Sequence, residues 1–291
     1  MNPLGDILAR EPLYLALVLA LLGLIVGSFL NVVILRLPRM LQREWKQDCR
    51  ALLELPEEDA EQDRFSLAYP DSQCPSCGAP IRAWQNIPVL SYLLLRGRCA
   101  NCGVSIGLRY PFVEALTAVM SVCVGLFIPW GPALLAYLGL TWALIALAGI
   151  DIDTQLLPDD ITLPLLWAGL GFNLFTGTVT LEDAVIGAMA GYLLLWSVYW
   201  LFRIVTGKEG MGFGDFKLLA ALGAWMGWQS LPLIVIMSSA VGAVLGMLIL
   251  ALRRQGRSQP LPFGPYLAAA GWIVLLWGDA ISAAVMPGLG G

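Results

Sequence analysis

Two aspartates lie at the ends of strongly apolar segments, where their side chains could do acid and base chemistry together. Asp151 follows the run Ala-Leu-Ala-Gly-Ile, and Asp215 ends the tetrapeptide Gly-Phe-Gly-Asp. A carboxylate at the end of a membrane helix is costly, so it usually has a function. Two carboxylates in one site resist double ionisation, so one keeps a proton while the other accepts one from water. Asp151 and Asp215 are therefore candidate catalytic residues for peptide hydrolysis.

Other hydrolytic chemistries lack the residues that they need. The chain contains no histidine, which excludes a Ser-His triad, a Cys-His dyad and an H-E-x-x-H zinc hydrolase. Carboxylate chemistry remains, and it requires neither a covalent intermediate nor a metal.

The acids near Asp151 have simpler interpretations. Asp153 is two residues away and points to a different side of a helix. Asp159 or Asp160 is expected to cap a helix that begins near Ile161. These three residues are therefore interpreted as structural.

Asp215 follows a segment with three glycines in five residues, Gly210 to Gly214, which disfavours a helix. The alternative to catalysis is that Asp215 caps a helix or pairs with Lys217. Packing alone explains poorly an aspartate placed directly after such a loop, and its pairing with a second acid favours catalysis.

Four cysteines form two C-x-x-C pairs, Cys74 with Cys77 and Cys99 with Cys102, with 21 residues between the inner two. This spacing predicts a closed tetrahedral zinc site with a structural role, one ion per chain. Two disulfides or a redox C-x-x-C are the alternatives. A nucleic-acid-binding zinc ribbon fits poorly, because residues 81–95 are rich in apolar and aromatic side chains.

The composition indicates an integral membrane protein. Of 291 residues, 58% are hydrophobic and only 13% are charged, and the mean hydropathy is +0.74. Six windows are long and apolar enough for spanning helices: 13–35, 112–128, 133–150, 183–204, 231–252 and 263–278. Two shorter windows, 161–175 and 217–228, are broken by proline or glycine. We predict an all-α polytopic membrane protein of about eight transmembrane helices, with six as the minimum.

The basic residues predict the orientation, because they collect on the cytoplasmic side. Ten of the 17 lysines and arginines lie from Arg36 to Arg109, and six more lie at alternate later loops or their edges. This pattern places Asp151 and Asp215 on the cytoplasmic face. The first apolar window lacks a convincing cleavage site, so we expect it to remain as the first helix.

We divide the chain into a first transmembrane helix (1–35), a cytoplasmic loop with the four-cysteine zinc module (36–111) and a multi-helix peptidase core (112–291). The net charge of −4 and the pI of about 4.9 argue against nucleic-acid binding. The loop also carries six clustered acids, Glu54, Glu57, Glu58, Asp59, Glu61 and Asp63. They are interpreted as a solvated surface or as a landing surface for a basic peptide.

The motifs together resemble one family over nearly the whole chain. They comprise Gly27-Ser28-Phe29-Leu30-Asn31-Val32-Val33, the four-cysteine loop, Asn86-Ile-Pro-Val-Leu-Ser-Tyr, Arg109-Tyr-Pro-Phe-Val-Glu114, the segment Asp151 to Asp159, and Gly212-Phe-Gly214-Asp215. The chain is similar to the bacterial type IV prepilin peptidases, intramembrane aspartic proteases of the Gly-x-Gly-Asp class. The related archaeal preflagellin peptidases share an Asp-Ile-x-x-x-x-Ile/Leu-Pro pattern, which selects Asp151 over Asp153 as the partner of Asp215.

The resemblance implies an enzyme of the bacterial inner membrane that removes a short basic leader from type IV prepilins and from the pseudopilins of type II secretion. It also implies N-methylation of the new N-terminus with S-adenosylmethionine, for which the sequence shows no cofactor fingerprint. A cation-coupled transporter and a zinc-dependent membrane scaffold are the alternatives. The acids of such transporters usually lie near the midplane of the membrane, and their chains usually contain inverted repeats. We find no repeat in this chain.

Overall fold

The chain is helical in a computed structural model that describes residues 8, 11–55, 65–252 and 262–285. Within these ranges there are nine α-helices, two 3-10 turns and two isolated bridges. The helices are α1 Pro12–Leu52, α2 Leu90–Leu94, α3 Arg109–Phe127, α4 Pro132–Thr154, α5 Asp159–Thr176, α6 Leu181–Thr206, α7 Phe213–Met226, α8 Leu231–Leu252 and α9 Gly264–Val285. The predicted all-α class is confirmed.

Six of these helical segments are long and apolar enough to cross a membrane, which confirms the predicted minimum. They lie in α1, α3, α4, α6, α9 and Trp228–Leu245, which includes most of α8. The two short windows are helical too, as α5 with 18 residues and α7 with 14. At about 1.5 Å per residue they rise about 27 and 21 Å, less than the roughly 30 Å of a bilayer core.

Helix α1 continues from the predicted end near residue 35 to Leu52, passing through Pro38. The added residues are rich in Leu, Arg, Gln, Glu and Lys, which favour helix once the apolar window ends. The helix therefore extends beyond the apolar window that predicted it.

The chain forms two compact units, Met1–Leu138 and Gly139–Gly291. In the first, α1 packs closely along α3, because Gly23 and Gly27 have no side chain to hold the backbones apart. A Cβ at Gly23 would lie 2.6 Å from Ala118 Cα, and one at Gly27 would lie 2.7 Å from Glu114 Cα. Small residues at such an interface are typical of packed membrane helices.

In the second unit, α7 is the central helix. Its residues from Asp215 to Trp225 are almost all buried, and α5, α6, α8 and α9 pack against it. A Cβ at Gly187 of α6 would collide with the carbonyl oxygen of Gly223 of α7, so these two helices approach closely through glycine. A helix surrounded on all sides is apolar on all faces, which explains how a short segment can stay apolar throughout.

Candidate active site

Asp151 lies in the last turn of α4, and only 5% of its surface is exposed. Its Oδ2 accepts a hydrogen bond of 2.9 Å from the backbone N–H of Gly264, the first residue of α9. The positive end of a helix and its free N–H groups favour a carboxylate at this position. A Cβ at Gly264 would lie 2.7 Å from the same oxygen, so this close approach depends on glycine.

Gly264 is a site residue that the sequence motifs do not predict. The available signal was a glycine between Pro262 and Pro265, because proline near the first position of a helix marks its start. That signal predicts a helix end and does not indicate which side chain the helix end meets.

Asp215 lies in the first turn of α7, and 6% of its surface is exposed. The N-cap of α7 is Gly212, and no side chain caps the helix, so the alternative role of Asp215 as an N-cap is wrong. Among the described residues, Asp215 Oδ1 is buried without a hydrogen-bond partner. An unpaired buried oxygen costs free energy, which favours a functional role over a packing role.

The structure brings Asp151 and Asp215 together across 63 intervening residues, and the Asp151 carboxylate acts electrostatically on Asp215. Leu157 packs against the segment that carries Asp215 and against the start of α9, which binds Asp151. A Cβ at Gly214, next to Asp215, would lie 2.6 Å from Leu157 Cβ, and one at Gly264 would lie 3.2 Å from Leu157 Cδ1. Two glycines thus let both segments close on one leucine.

The neighbouring acids have other roles. Asp153, Asp159 and Asp160 are exposed. Lys217 Nζ contacts both carboxylate oxygens of Asp159, at 2.6 and 2.7 Å, so the alternative pairing of Lys217 with Asp215 is wrong. The predicted capping is also wrong, because α5 begins at Asp159 with Pro158 as its N-cap. Both acids lie in the first turn of α5, where the positive end of the helix dipole stabilises their negative charges.

An aromatic cluster supports the start of α7 from the side of α6. Tyr199, which is 3% exposed, packs its ring 5.2 Å from that of Phe213 and 5.8 Å from that of Phe216. Arg203 donates a hydrogen bond of 3.1 Å to the Tyr199 hydroxyl and lies 3.7 Å from Glu209, the residue before the glycine-rich segment. These contacts hold the residues on both sides of Asp215.

Gly214→Ala is expected to lower peptidase activity by about tenfold or more, because the new methyl group would collide with Leu157. Overpacking of this kind costs about 1–3 kcal/mol and shifts the backbone. Gly212→Ala is the matched control, since the nearest atom to its Cβ would lie 3.9 Å away. The measurement is the cleavage rate of both variants under identical conditions, and an equal loss in both would reject the packing explanation.

The four cysteines of the predicted zinc module also meet. Their sulfur atoms all lie within 4.8 Å of one another, so the cluster could hold a metal ion. Both C-x-x-C pairs have the same backbone: Gly78 donates to the Cys74 carbonyl and Gly103 to the Cys99 carbonyl, at 2.9 and 3.0 Å. Both glycines have positive φ, 68° and 70°, which is the conformation that glycine adopts without strain.

All four thiols are free in the structure, which argues against the two-disulfide alternative. The side chain of Asn101 contacts Cys77 Sγ at 3.5 Å. Chiefly through this contact, the pKa of Cys77 is lowered to about 6, whereas the pKa of the neighbouring Cys102 is raised to about 11, by burial and by its contacts with the other three thiols. In this cluster Cys77 therefore loses its proton first, and the thiolate is the form that binds metal.

Each of the two units contains a region that matches a known protein family. Residues 21–128 match the bacterial peptidase A24 N-terminal domain, and residues 138–247 match the type IV leader peptidase family. The chain belongs to the type IV leader peptidase family. The resemblance inferred from the sequence motifs is thereby confirmed, and Asp151, Asp215 and Leu157 all lie inside the second matched region of this family member.

Similar proteins extend over nearly the whole chain. A prepilin leader peptidase/N-methyltransferase of Aeromonas hydrophila is 58% identical over 270 residues, 93% of each chain. Proteins of the same name from Pseudomonas aeruginosa and Burkholderia pseudomallei are 55% identical over 280 residues (96% of each chain) and 49% identical over 259 residues (88% of this chain and 84% of the relative). No solved structure was found to match the chain.

Proposed function

We propose that the protein is a prepilin leader peptidase and N-methyltransferase, which cleaves the leader from type IV prepilins and type II secretion pseudopilins. The observation that carries the proposal is the pairing of two buried carboxylates, Asp151 and Asp215, in a member of the type IV leader peptidase family. Family membership favours this activity over a cation-coupled transporter. The two aspartates are proposed as the catalytic residues.

The proposed reaction is general acid and base hydrolysis. One aspartate of the pair holds a proton while the other, as carboxylate, takes a proton from the water that attacks the peptide carbonyl. Asp151 suits the carboxylate role, because the Gly264 N–H already stabilises its negative form. Asp215, with one oxygen unpaired among the described residues, suits the protonated role.

Methylation follows cleavage in this proposal. S-adenosylmethionine supplies the methyl group, as the names of the relatives suggest, and we assign no residue to its binding. The substrate of this step is the new N-terminal amine, which cleavage of the leader exposes.

The four-cysteine cluster is proposed to hold one structural zinc ion. Four thiolates at the zinc–sulfur distance of about 2.3 Å place their sulfurs about 3.8 Å apart in a tetrahedron. The Cys74 and Cys102 sulfurs lie 3.8 Å apart, which supports this assignment. Four protein ligands leave no open position for a water, so the ion takes no part in hydrolysis.

The protein is proposed to lie in the bacterial inner membrane with the aspartate pair at the cytoplasmic face. The six apolar helices support the membrane location. The distribution of lysines and arginines supports the orientation when the short helices α5 and α7 also cross the membrane, giving eight spans. We also retain the functional division into 1–35, 36–111 and 112–291. Five of the six clustered acids, those at positions 57–63, lie outside the described residues, so a landing surface for the basic leader stays a prediction.

Mass spectrometry of a prepilin incubated with the purified protein tests both activities. We expect loss of the leader without S-adenosylmethionine, and loss of the leader with a gain of one methyl group when it is present. An intact prepilin under both conditions would reject the peptidase. Cleavage without any methyl gain would reject only the methyltransferase.

A further inference from the structure

Glu114 is a third buried carboxylate that the proposed hydrolysis does not use. Among the described residues, the buried acids are Glu114, Asp151 and Asp215, and Glu114 is 8% exposed. It lies in the second turn of α3, a helix that is apolar enough to span a membrane. A carboxylate in such a helix is costly and usually has a partner or a function.

The known contacts of Glu114 are with uncharged donors. Its Oε2 accepts a hydrogen bond of 2.7 Å from the backbone N–H of Val89, and the Ser28 side chain also hydrogen-bonds to it. An ionised carboxylate offers about four acceptor positions. Two neutral donors therefore neither fill these positions nor compensate the charge.

Asn31 adds a second acceptor one helical turn away. It is 3% exposed, and its Nδ2 donates to the carbonyls of Gly27 and Tyr110 at 3.2 and 3.1 Å. Because both partners are acceptors, these contacts fix which end of the amide is nitrogen. The Oδ1 atom is consequently buried, and no described residue donates to it.

The pairing of α1 with α3 explains why Asn31 and Glu114 are neighbours. Gly27 packs on the Cα of Glu114, while Asn31, four residues later on α1, binds Tyr110, four residues earlier on α3. The backbones of Asn31 and Glu114 are thus offset by about one turn, or 5.4 Å, along these antiparallel helices.

We propose that Glu114 and Asn31 form a binding site for a primary ammonium group. An ammonium donates three hydrogen bonds and carries the charge that this acceptor-rich site lacks. The inference rests on the proposed function, in which the ammonium is the new N-terminus of the cleaved pilin. The site therefore holds the group that is to be methylated, and the ammonium loses one proton to the Glu114 carboxylate before its nitrogen accepts the methyl group.

Binding of a synthetic pilin peptide, without any methyl donor, tests this site. The peptide is the first 25 or so residues of a mature pilin, about the length of a spanning helix, with either a free or an acetylated N-terminus. We expect the full-length protein in phosphatidylcholine discs to bind the free amine about tenfold more tightly, as a charge-assisted hydrogen bond implies. Glu114→Gln, which keeps the shape and loses the charge, is expected to remove most of this preference.

Ser121→Ala is the matched control, because Ser121 is buried on the same helix and its hydroxyl bonds the Thr117 carbonyl. This variant is expected to keep the preference for the free amine. If the unaltered protein binds both peptides equally, or if Glu114→Gln keeps the preference, the site is wrong. The first comparison needs no variant, so a folding defect in Glu114→Gln cannot hide the answer.

A second readout separates this proposal from the peptidase itself. In the prepilin reaction, Glu114→Gln is expected to lower the ratio of methylated to unmethylated cleaved product by about tenfold. An unchanged ratio would overturn the proposal, whereas failure of the unaltered protein to cleave would overturn the proposed function instead. Discs of phosphatidylethanolamine add a lipid primary amine, and weaker peptide binding there would show that lipid headgroups enter the same site.

Discussion

Asp151→Asn and Asp215→Asn are each expected to lower the rate of prepilin cleavage by about 10²–10⁴-fold, the usual contribution of a general acid or base. Asparagine has nearly the same shape as aspartate, but it can neither hold the shared proton nor accept one from water. In Asp151→Asn, the new amide oxygen can still accept the Gly264 N–H, so the fold should persist. The measurement is single-turnover cleavage by purified protein, with helix content as the check on folding.

Asp153→Asn is the matched control for the aspartate pair. Asp153 lies two residues from Asp151 on the same helix, yet it is exposed. This variant is expected to cleave within a few-fold of the unaltered protein, because Asp153 is not part of the buried pair. Full cleavage by either Asp151→Asn or Asp215→Asn would eliminate the pair as the catalytic residues.

Loss of a single cysteine from the cluster is expected to abolish stable metal binding and the order of the cysteine module, residues 71–103. Protein purified without added metal should contain about one zinc per chain, and Cys102→Ala should contain far less. The expected effect is large because binding of a structural zinc contributes about 10–16 kcal/mol to folding in small zinc peptides. Metal analysis and limited proteolysis within residues 71–103 provide the two measurements.

Cys49→Ala is the control for this experiment, since Cys49 is exposed and lies outside the cluster. It should retain about one zinc per chain and the same proteolytic pattern. Recovery of metal-free protein with ordered, disulfide-bonded cysteines would contradict the zinc assignment. It would restore the disulfide alternative that the sequence left open.

Local patterns were enough to predict most of the helices. Windows such as 133–150 and 183–204 lie within α4, Pro132–Thr154, and α6, Leu181–Thr206, because a run of about 20 apolar residues has few stable structures besides a spanning helix. The end of α1 was missed because residues 36–52 are helical without being apolar. Hydropathy shows how apolar a segment is, and it does not show how far the helix continues beyond the apolar residues.

The wrong capping prediction for Asp159 or Asp160 and the rejected pairing of Asp215 with Lys217 both relied on residues close in the sequence. The sequence placed Asp159, Asp160 and Lys217 by their near neighbours, whereas Lys217 binds Asp159 across 58 positions. Caps and ion pairs within a helix follow short-range rules. An ion pair between two helices depends on how the helices pack, which those rules do not include.

By itself the sequence determined the membrane class, the family, the two candidate aspartates and the four cysteines that the structure clusters. Each of these depends on residue types at short spacings, which local geometry converts directly into helices and C-x-x-C turns. Only the tertiary structure decided that Gly264 binds Asp151 and that Leu157 packs on both Gly264 and Gly214, next to Asp215. It also decided that α1 and α3 pack so that Gly27 meets Glu114 and Asn31 binds Tyr110. These contacts join residues far apart in the chain, and they form because glycines let particular segments approach closely. The hydrophobic pattern of one helix does not show which other helix it will contact.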